Sequence, residues 1–261
     1  MTSENRPLAV GVLVTDDDHP EDLLSVADGL LPFGARRLTV GIRTDSSPFL
    51  LNENTDLDGD RGILEEVAAA GETVGASIEQ TLAVGDTPLS GLVNCTSLVL
   101  SRSGLASLET PLFDSPPCTV IVVPTGPLLA DLETVAVHVT AETALEPTAM
   151  VARSIAEASD ATVQVVNTGD DRLRAQRSLS TVSEVLGPVD VDPRIRSEAA
   201  AETADLSVVM GPTDDQSAVV VAPEQPVSLR ERLQGVWQPA WPIRRGRSRW
   251  AKRAAEGTVI R

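Results

Sequence analysis

Two short polar stretches hold the residue types that could do chemistry. Ser101-Arg102-Ser103-Gly104 ends the apolar run 98–100, and Thr15-Asp16-Asp17-Asp18 ends the apolar run 8–14. Hydroxyls, a guanidinium and a glycine at the exit of a buried strand can cradle an anion, because glycine lets backbone N–H groups approach it closely. A threonine and carboxylates at a strand end can hold the edge of a base or a sugar. Each stretch also has a plainer reading. Carboxylates ahead of a helix cap its free N–H groups, and a glycine supplies the positive φ of a tight strand exit. His19 beside Pro20 reads as an exposed turn residue, and His138 between Val137 and Val139 as a sheet residue with a local partner. The other metal or nucleophile types are Cys95 and Cys118, which have no CxxC spacing and read as small buried thiols. No Ser/His/Asp or Cys/His arrangement has a supporting context. The expectation is therefore no catalytic residue, no metal ligand and no enzyme activity.

The elements that position these stretches follow from hydropathy. Residues 8–14 form a continuous apolar run, as in a strand buried on both faces of a parallel sheet. A helical period follows over 21–31, then a strand at 37–42, a polar loop over 44–59, a helix over 61–75 and a strand at 77–84. A short helix over 88–94 leads into the strand that ends at Ser101, and residues 119–123 close the unit. The pattern then restarts with a strand at 134–139, a helix over 143–158, a strand at 161–166 and a helix over 172–186. A strand at 189–195, a short helix over 198–203 and strands at 206–210 and 218–222 complete it. Val10 to Thr15 lies 125 residues before Val135 to Thr140, and the closing runs starting at Cys118 and Ser217 lie 99 apart. Two tandem units of that size indicate a duplicated domain rather than a solenoid. Strand–helix alternation implies parallel β-α-β units in open sheets with helices on both faces, and ligand sites beyond the carboxyl ends of the strands. The expected divisions are residues 1–130, 131–225 and a tail, 226–261.

Composition limits the class. The 261 residues carry a formal charge of −17, with twenty Arg but a single Lys, no Tyr, 2% aromatics and 42% apolar residues. Acidic, lysine-poor and low in large side chains is the composition of a protein kept in solution by a very salty cytosol, of the haloarchaeal type, where salt screens self-repulsion. The regular apolar runs argue against a disordered acidic chain. Met1 to Pro7 has no apolar core of a signal peptide, and no run approaches the length of a membrane span. The chain reads as cytoplasmic.

In its acidic turn after the first strand, its strand–helix order and its closing Cys118-Thr119-Val120-Ile121-Val122-Val123-Pro124, the chain resembles the universal stress protein family in tandem form. The resemblance covers residues 8–124 and 134–223. It implies two adenine-nucleotide hydrolase-like units pairing through their closing strands, 119–123 and 218–222, as an internal pseudo-dimer. It also implies a nucleotide site in the first unit at Thr15, Asp16, Ser101, Ser103 and Gly104, with Asp16 where the family's aspartate contacts the nucleoside. ATP-binding members carry a phosphate loop of the form G-x2-G-x9-G-S/T. With Gly104 at its first position, Ser107, Pro117 and Cys118 stand where Gly, Gly and Ser/Thr belong. Pro117 has no N–H to offer. The second unit has Pro212, Thr213, Asp214 and Asp215 after Gly211, and Ala141 and Glu142 in its opening turn. The resemblance thus implies a regulatory or partner-binding protein with degenerate sites and no tightly bound cofactor, only weak adenine nucleotide at most. The other reading is an adenine-nucleotide sensor using the first unit, and an ATP-hydrolysing enzyme is the least supported.

The tail is basic where the body is acidic. Arg244, Arg245, Arg247, Arg249, Lys252, Arg253 and Arg261 against Glu256 give 244–261 a charge of +6, leaving −23 on residues 1–243. Trp237, Trp241 and Trp250 lie in or just before it. Arginine with tryptophan suits an anionic membrane surface or a membrane transporter. The tail could equally fold onto the acidic body or stay disordered. Nucleic acid is the weakest of the three.

Overall fold

The structure is a computed structural model. It describes residues 9–31, 37–44, 58–75, 77–84, 92, 95–108, 116, 118–139, 145–167, 172–187, 189–197, 204–211, 213 and 215–223. Of the helix expected over 88–94 only Leu92 is described, buried in a turn, while the helix expected over 198–203 and the tail 226–261 lie outside the described residues.

Buried apolar runs make the strands. β1 (Val10–Val14) and β5 (Thr119–Val123) are buried along almost their whole length, so neither face meets water. With β2 (Arg37–Thr44), β3 (Ser77–Val84) and β4 (Ser97–Ser101) they form five strands of one sheet. The other five are β6 (Thr134–Val139), β7 (Thr162–Asn167), β8 (Val191–Ser197), β9 (Leu206–Met210) and β10 (Val219–Ala222). The order across all ten is β3-β2-β1-β4-β5-β10-β9-β6-β7-β8. Every pair is parallel except β5 with β10, which run antiparallel with Val122 opposite Val220 and Ile121 opposite Val221. Read outward from that seam, each half has its closing strand, then its fourth, first, second and third. Met1–Gln225 make one compact unit.

Among the described residues, four long helices pack on one face. α1 (Pro20–Gly29) starts with proline at its first position, where no N–H is missed. It buries Leu23, Leu24, Val26 and Ala27. α2 (Asp58–Val74), α4 (Leu145–Ser159) and α5 (Arg172–Leu186) join it over a single core that runs through both halves, holding Val12, Leu24, Ile121, Val137, Ile155 and Val221 together. The short α3 (Arg102–Ala106) caps β4. Leu13, Leu98, Leu100, Val120 and Val122 face the other side and are also fully buried, so the sheet is covered on both faces.

The halves touch through helices as well as strands. On α4, Ser154 Oγ donates to the Val26 carbonyl of α1 at 2.6 Å. Gly29 allows this approach, since a Cβ there would lie 2.9 Å from Ser154 Cα.

Several element ends differ from the sequence expectation. β2 extends to Thr44, α1 stops at Gly29, α2 begins at Asp58, and β8 is displaced to Val191–Ser197 beside a register irregularity between Val163 and Val165. Hydropathy marks where side chains enter the core, whereas an element ends where its backbone pairing ends, which falls a few residues to either side.

A carboxylate fixes the start of β6 against β9. Asp205 Oδ2 accepts the N–H groups of Thr134 at 2.9 Å and Glu133 at 3.0 Å and the Thr134 hydroxyl at 3.1 Å. The Thr134 N–H, then that of Glu133, hold its carboxyl below the ordinary aspartate value. A lowered folded pKa gives stability that is fully present above the unfolded value and lost as pH falls through the folded one. Asp205→Ala is expected to cost about 0.5–1 kcal/mol near neutral pH, as for an exposed set of hydrogen bonds. That difference should be smaller at an acid pH below the ordinary aspartate value of about 3.9, as the lowered folded carboxyl begins to take up its proton. Urea titrations at the two pH values check it; a cost undiminished in acid would contradict the assignment.

Candidate functional site

The carboxyl ends of β1 and β4 lie side by side at the head of the first half, since β1 pairs with β4 from Val10 to Leu13. They bring Thr15, Ser101, Ser103 and Gly104 together. Thr15 and Ser101 are nearly buried, at 9% and 2% exposure. Asp16 lies exposed on the turn above them.

The carboxylate inside the cluster is Asp18, not Asp16. Asp18 Oδ2 accepts the Thr15 N–H at 2.7 Å and the Thr15 hydroxyl at 2.8 Å, and Oδ1 accepts the Ser103 hydroxyl at 2.9 Å. Ser103 has spent its one proton, so the 2.7 Å contact between the two serine oxygens must use the proton of Ser101. Ser101 Oγ in turn accepts the Gly104 N–H at 2.8 Å as the cap of α3. One chain of hydrogen bonds thus runs from the end of β1 to the start of α3.

Two sequence expectations change here. Gly104 sits within α3 and is not among the positive-φ glycines, so it does not supply a strained strand exit. Its reason is space, since a Cβ would lie 3.2 Å from the Ser101 Oγ that caps its own N–H. Arg102, read as help for an anion at 101–104, points across the seam instead. Its Nη2 donates to the Asp215 carbonyl at 2.5 Å and the Ala218 carbonyl at 3.0 Å, while its Nε is buried without a partner. Carbonyls 113 and 116 residues away leave no local signature, so sequence could not give this destination.

The segment 124–128 closes the cluster from the β5 side. Thr125 Oγ1 accepts the Ser103 N–H at 3.2 Å, and Asp22 Oδ2 on α1 accepts the Leu128 N–H at 2.6 Å. Gly126, at φ +101, makes the bend between them, a conformation that L side chains rarely adopt. A small cavity lies beneath, lined by Asp18, Asp22, Ser101, Pro124, Gly126 and Leu128. Sequence reading names Asp18 only as one of three aspartates in the turn 15–18, and does not single out Asp22 or Thr125. The one local signal was Asp18, placed three residues after Thr15 in a turn whose Asp18 N–H returns to the Thr15 carbonyl at 3.1 Å.

In the second half, Gly211 turns with φ +83 and its N–H reaches the Val221 carbonyl at 3.0 Å. Asp215 Oδ1 accepts the Ser217 hydroxyl at 2.6 Å and the Ser217 N–H at 2.9 Å. These two bonds, in that order, lower its carboxyl pKa, with the Arg102 and His138 charges adding less. His138 Nε2 lies 3.2 Å from Ser207 Oγ on the adjoining strand. Burial pushes the Cys95 thiol up to about 11, against a hydrogen bond from Thr39, so it stays protonated at neutral pH. Cys118 is buried too, and neither cysteine is in a disulfide. Among the described residues no group of His, Cys, Asp and Glu could hold a metal ion, and no helix is long and apolar enough to cross a membrane.

No family profile and no curated protein matches the sequence. Solved structures do match. A universal stress protein from Archaeoglobus fulgidus aligns over 84% of this chain and 99% of its own, at 13% identity and a TM-score of 0.51. The cytoplasmic domain of a prokaryotic cation chloride cotransporter aligns over 82% and 95%, at 10% identity and a TM-score of 0.50. At these identities the likeness shows the fold, which is that of the universal stress proteins, a mixed α/β sheet of largely parallel strands.

Proposed function

We propose that this chain is a regulatory, partner-binding protein of the universal stress protein type, without enzymatic activity and without a tight nucleotide site. The observation that carries the reading is the state of the donors at the strand ends. The N–H groups of Thr15, Ser103 and Gly104 each already point to an acceptor within the chain. A nucleotide would have to displace them, at about 1 kcal/mol net for each bond lost. Arg102, the cation at the start of α3, is committed to the second half. The phosphate loop is degenerate at Pro117, which falls outside the described residues.

The antiparallel β5–β10 seam and the common strand order of the two halves support an internal pseudo-dimer made by duplication. In such a chain one polypeptide supplies both faces that a partner would meet. Likeness to the cytoplasmic domain of a cotransporter favours a membrane transporter as that partner. The basic tail, Arg244 to Arg253, supplies the charge for a peripheral contact with an anionic surface, and its tryptophans the apolar area that molar salt does not screen. The alternative, an adenine-nucleotide sensor in the first half, is favoured by one feature, the exposure of Asp16 at the rim.

Nucleotide released by acid from the protein, purified from its own cells without added ligand, separates the two readings. The proposed reading expects less than about one-tenth of a mole per mole of chain. Near-stoichiometric adenine nucleotide, lost on Asp16→Ala, would favour the sensor.

A further inference from the structure

We infer that Arg102 is a mechanical link between the halves, through which the state of the strand ends in the first half reaches the exposed turn 215–217 of the second. The inference goes beyond the proposed reading, because it depends on contacts inside the chain and not on what the protein binds.

Topology brings the two places together. β5 runs parallel to β4 and antiparallel to β10, so the end of β4 and the start of β10 lie at one edge of the sheet with β5 between them. Two strand spacings, about 10 Å, separate the two strands, a gap that only a long side chain bridges. Arg102, the first residue of α3, bridges it by donating from Nη2 to the carbonyls of Asp215 and Ala218. Both acceptors are backbone carbonyls, whose hold on a guanidinium does not change with protonation. They flank the turn 215–217, whose three residues are exposed. Inside the turn, Asp215 Oδ1 takes the N–H and the hydroxyl of Ser217. The turn is thus braced within itself and fastened at both ends from the other half.

The near end of the link is held by the residues on either side of Arg102. Ser101 Oγ accepts the Gly104 N–H, the Ser103 hydroxyl donates to Asp18, and the Ser103 N–H donates to Thr125 Oγ1. These bonds fix the backbone from which Arg102 reaches, so less freedom remains to be lost when its long side chain is ordered. The link is also poised to let go. Arg102 Nε is buried without a partner. An unpaired buried donor raises the free energy of the fastened state, because water would satisfy it. Loosening the serine ties lets the guanidinium turn Nε outward, at the expense of the two carbonyls. The fastened state therefore persists only while both of its ends are in place, and that makes the turn 215–217 answer to the first half.

Amide hydrogen exchange of the full chain in about 2 M KCl reads the link. The reporters are the Gly211 N–H, which donates to the Val221 carbonyl, and the amides of 215–222. Arg102→Met keeps the stem and removes the donors. It should speed exchange at the reporters by at least about tenfold and leave α5 unchanged. Ser103→Ala keeps every Arg102 donor and acts in the first half alone, yet should speed the same amides by about threefold. The double variant should exchange no faster than Arg102→Met, since both changes act through one contact. Arg102→Lys, which keeps the charge and the stem, should fall between wild type and Arg102→Met, and it carries the test if Arg102→Met does not fold by circular dichroism. Wild-type exchange at the reporters in a folded Arg102 variant would overturn the link. So would a Ser103→Ala effect confined to the first half, or a double variant in which the two effects multiply, because Arg102 would then be a local tie that transmits nothing. None of these outcomes involves a nucleotide, so the proposed reading stands or falls by its own test.

Discussion

Replacing Gly29 by alanine is expected to lower the stability of the chain by about 2 kcal/mol, the usual cost of overpacking a tight contact. The new Cβ would lie 2.3 Å from Ser154 Oγ, 2.8 Å from Ser154 Cβ and 2.9 Å from Ser154 Cα. The hydroxyl could rotate away, but only by giving up its 2.6 Å bond to the Val26 carbonyl. The Cα cannot move unless α4 moves with it. Alanine gains up to about 1 kcal/mol over glycine in a helix interior, and less at a helix end, so the clash dominates. Since α1 comes from the first half and α4 from the second, the loss falls on the junction between halves. Gly62→Ala on α2 is the matched control, because a Cβ there meets nothing within 4 Å. It should be neutral or stabilising by up to about 1 kcal/mol. Thermal and urea unfolding of both variants, with Gly29→Ala shifted down by roughly 4–8 °C, check the pair. A Gly29→Ala protein as stable as wild type would mean that α1 and α4 do not meet as described.

Much of the fold is visible in the sequence because the sheet is parallel and buried. Runs such as Val10 to Val14 and Val120 to Val123 have no polar face to confuse with a helix, and nearly all their side chains are buried. The amphipathic spacing of α1, with Leu23, Leu24, Val26 and Ala27 inward, is equally plain. The site was legible in part. Thr15, Ser101, Ser103 and Gly104 could be placed at strand ends because ligand sites in such sheets lie there. Which carboxylate would turn inward could not be read from three consecutive aspartates. Asp18 enters because the turn returns its N–H to Thr15 and Ser103 waits opposite, a partner set by the β1–β4 pairing rather than by local sequence. Gly29 gives the same lesson. Within the helical period read over 21–31 it carries no signal of its own, and its role becomes visible only when Ser154, 125 residues later, packs against it.

The site and the seam lead to one functional expectation. Arg102, which would be the natural counter-charge for a phosphate at Ser101–Gly104, instead ties the first half to the 215–218 loop of the second. Three N–H groups and two hydroxyls at the strand ends hold partners within the chain. Displacing even three of these bonds costs about 3 kcal/mol, which is more than a hundredfold in affinity. The triphosphate would also approach Asp16, Asp17 and Asp18, a repulsion that only high salt suppresses. Calorimetric titration of the full chain with ATP in about 2 M KCl is the most direct test of this account. It should give no saturable heat below about 100 μM ligand, whereas a dissociation constant under about 1 μM would contradict it.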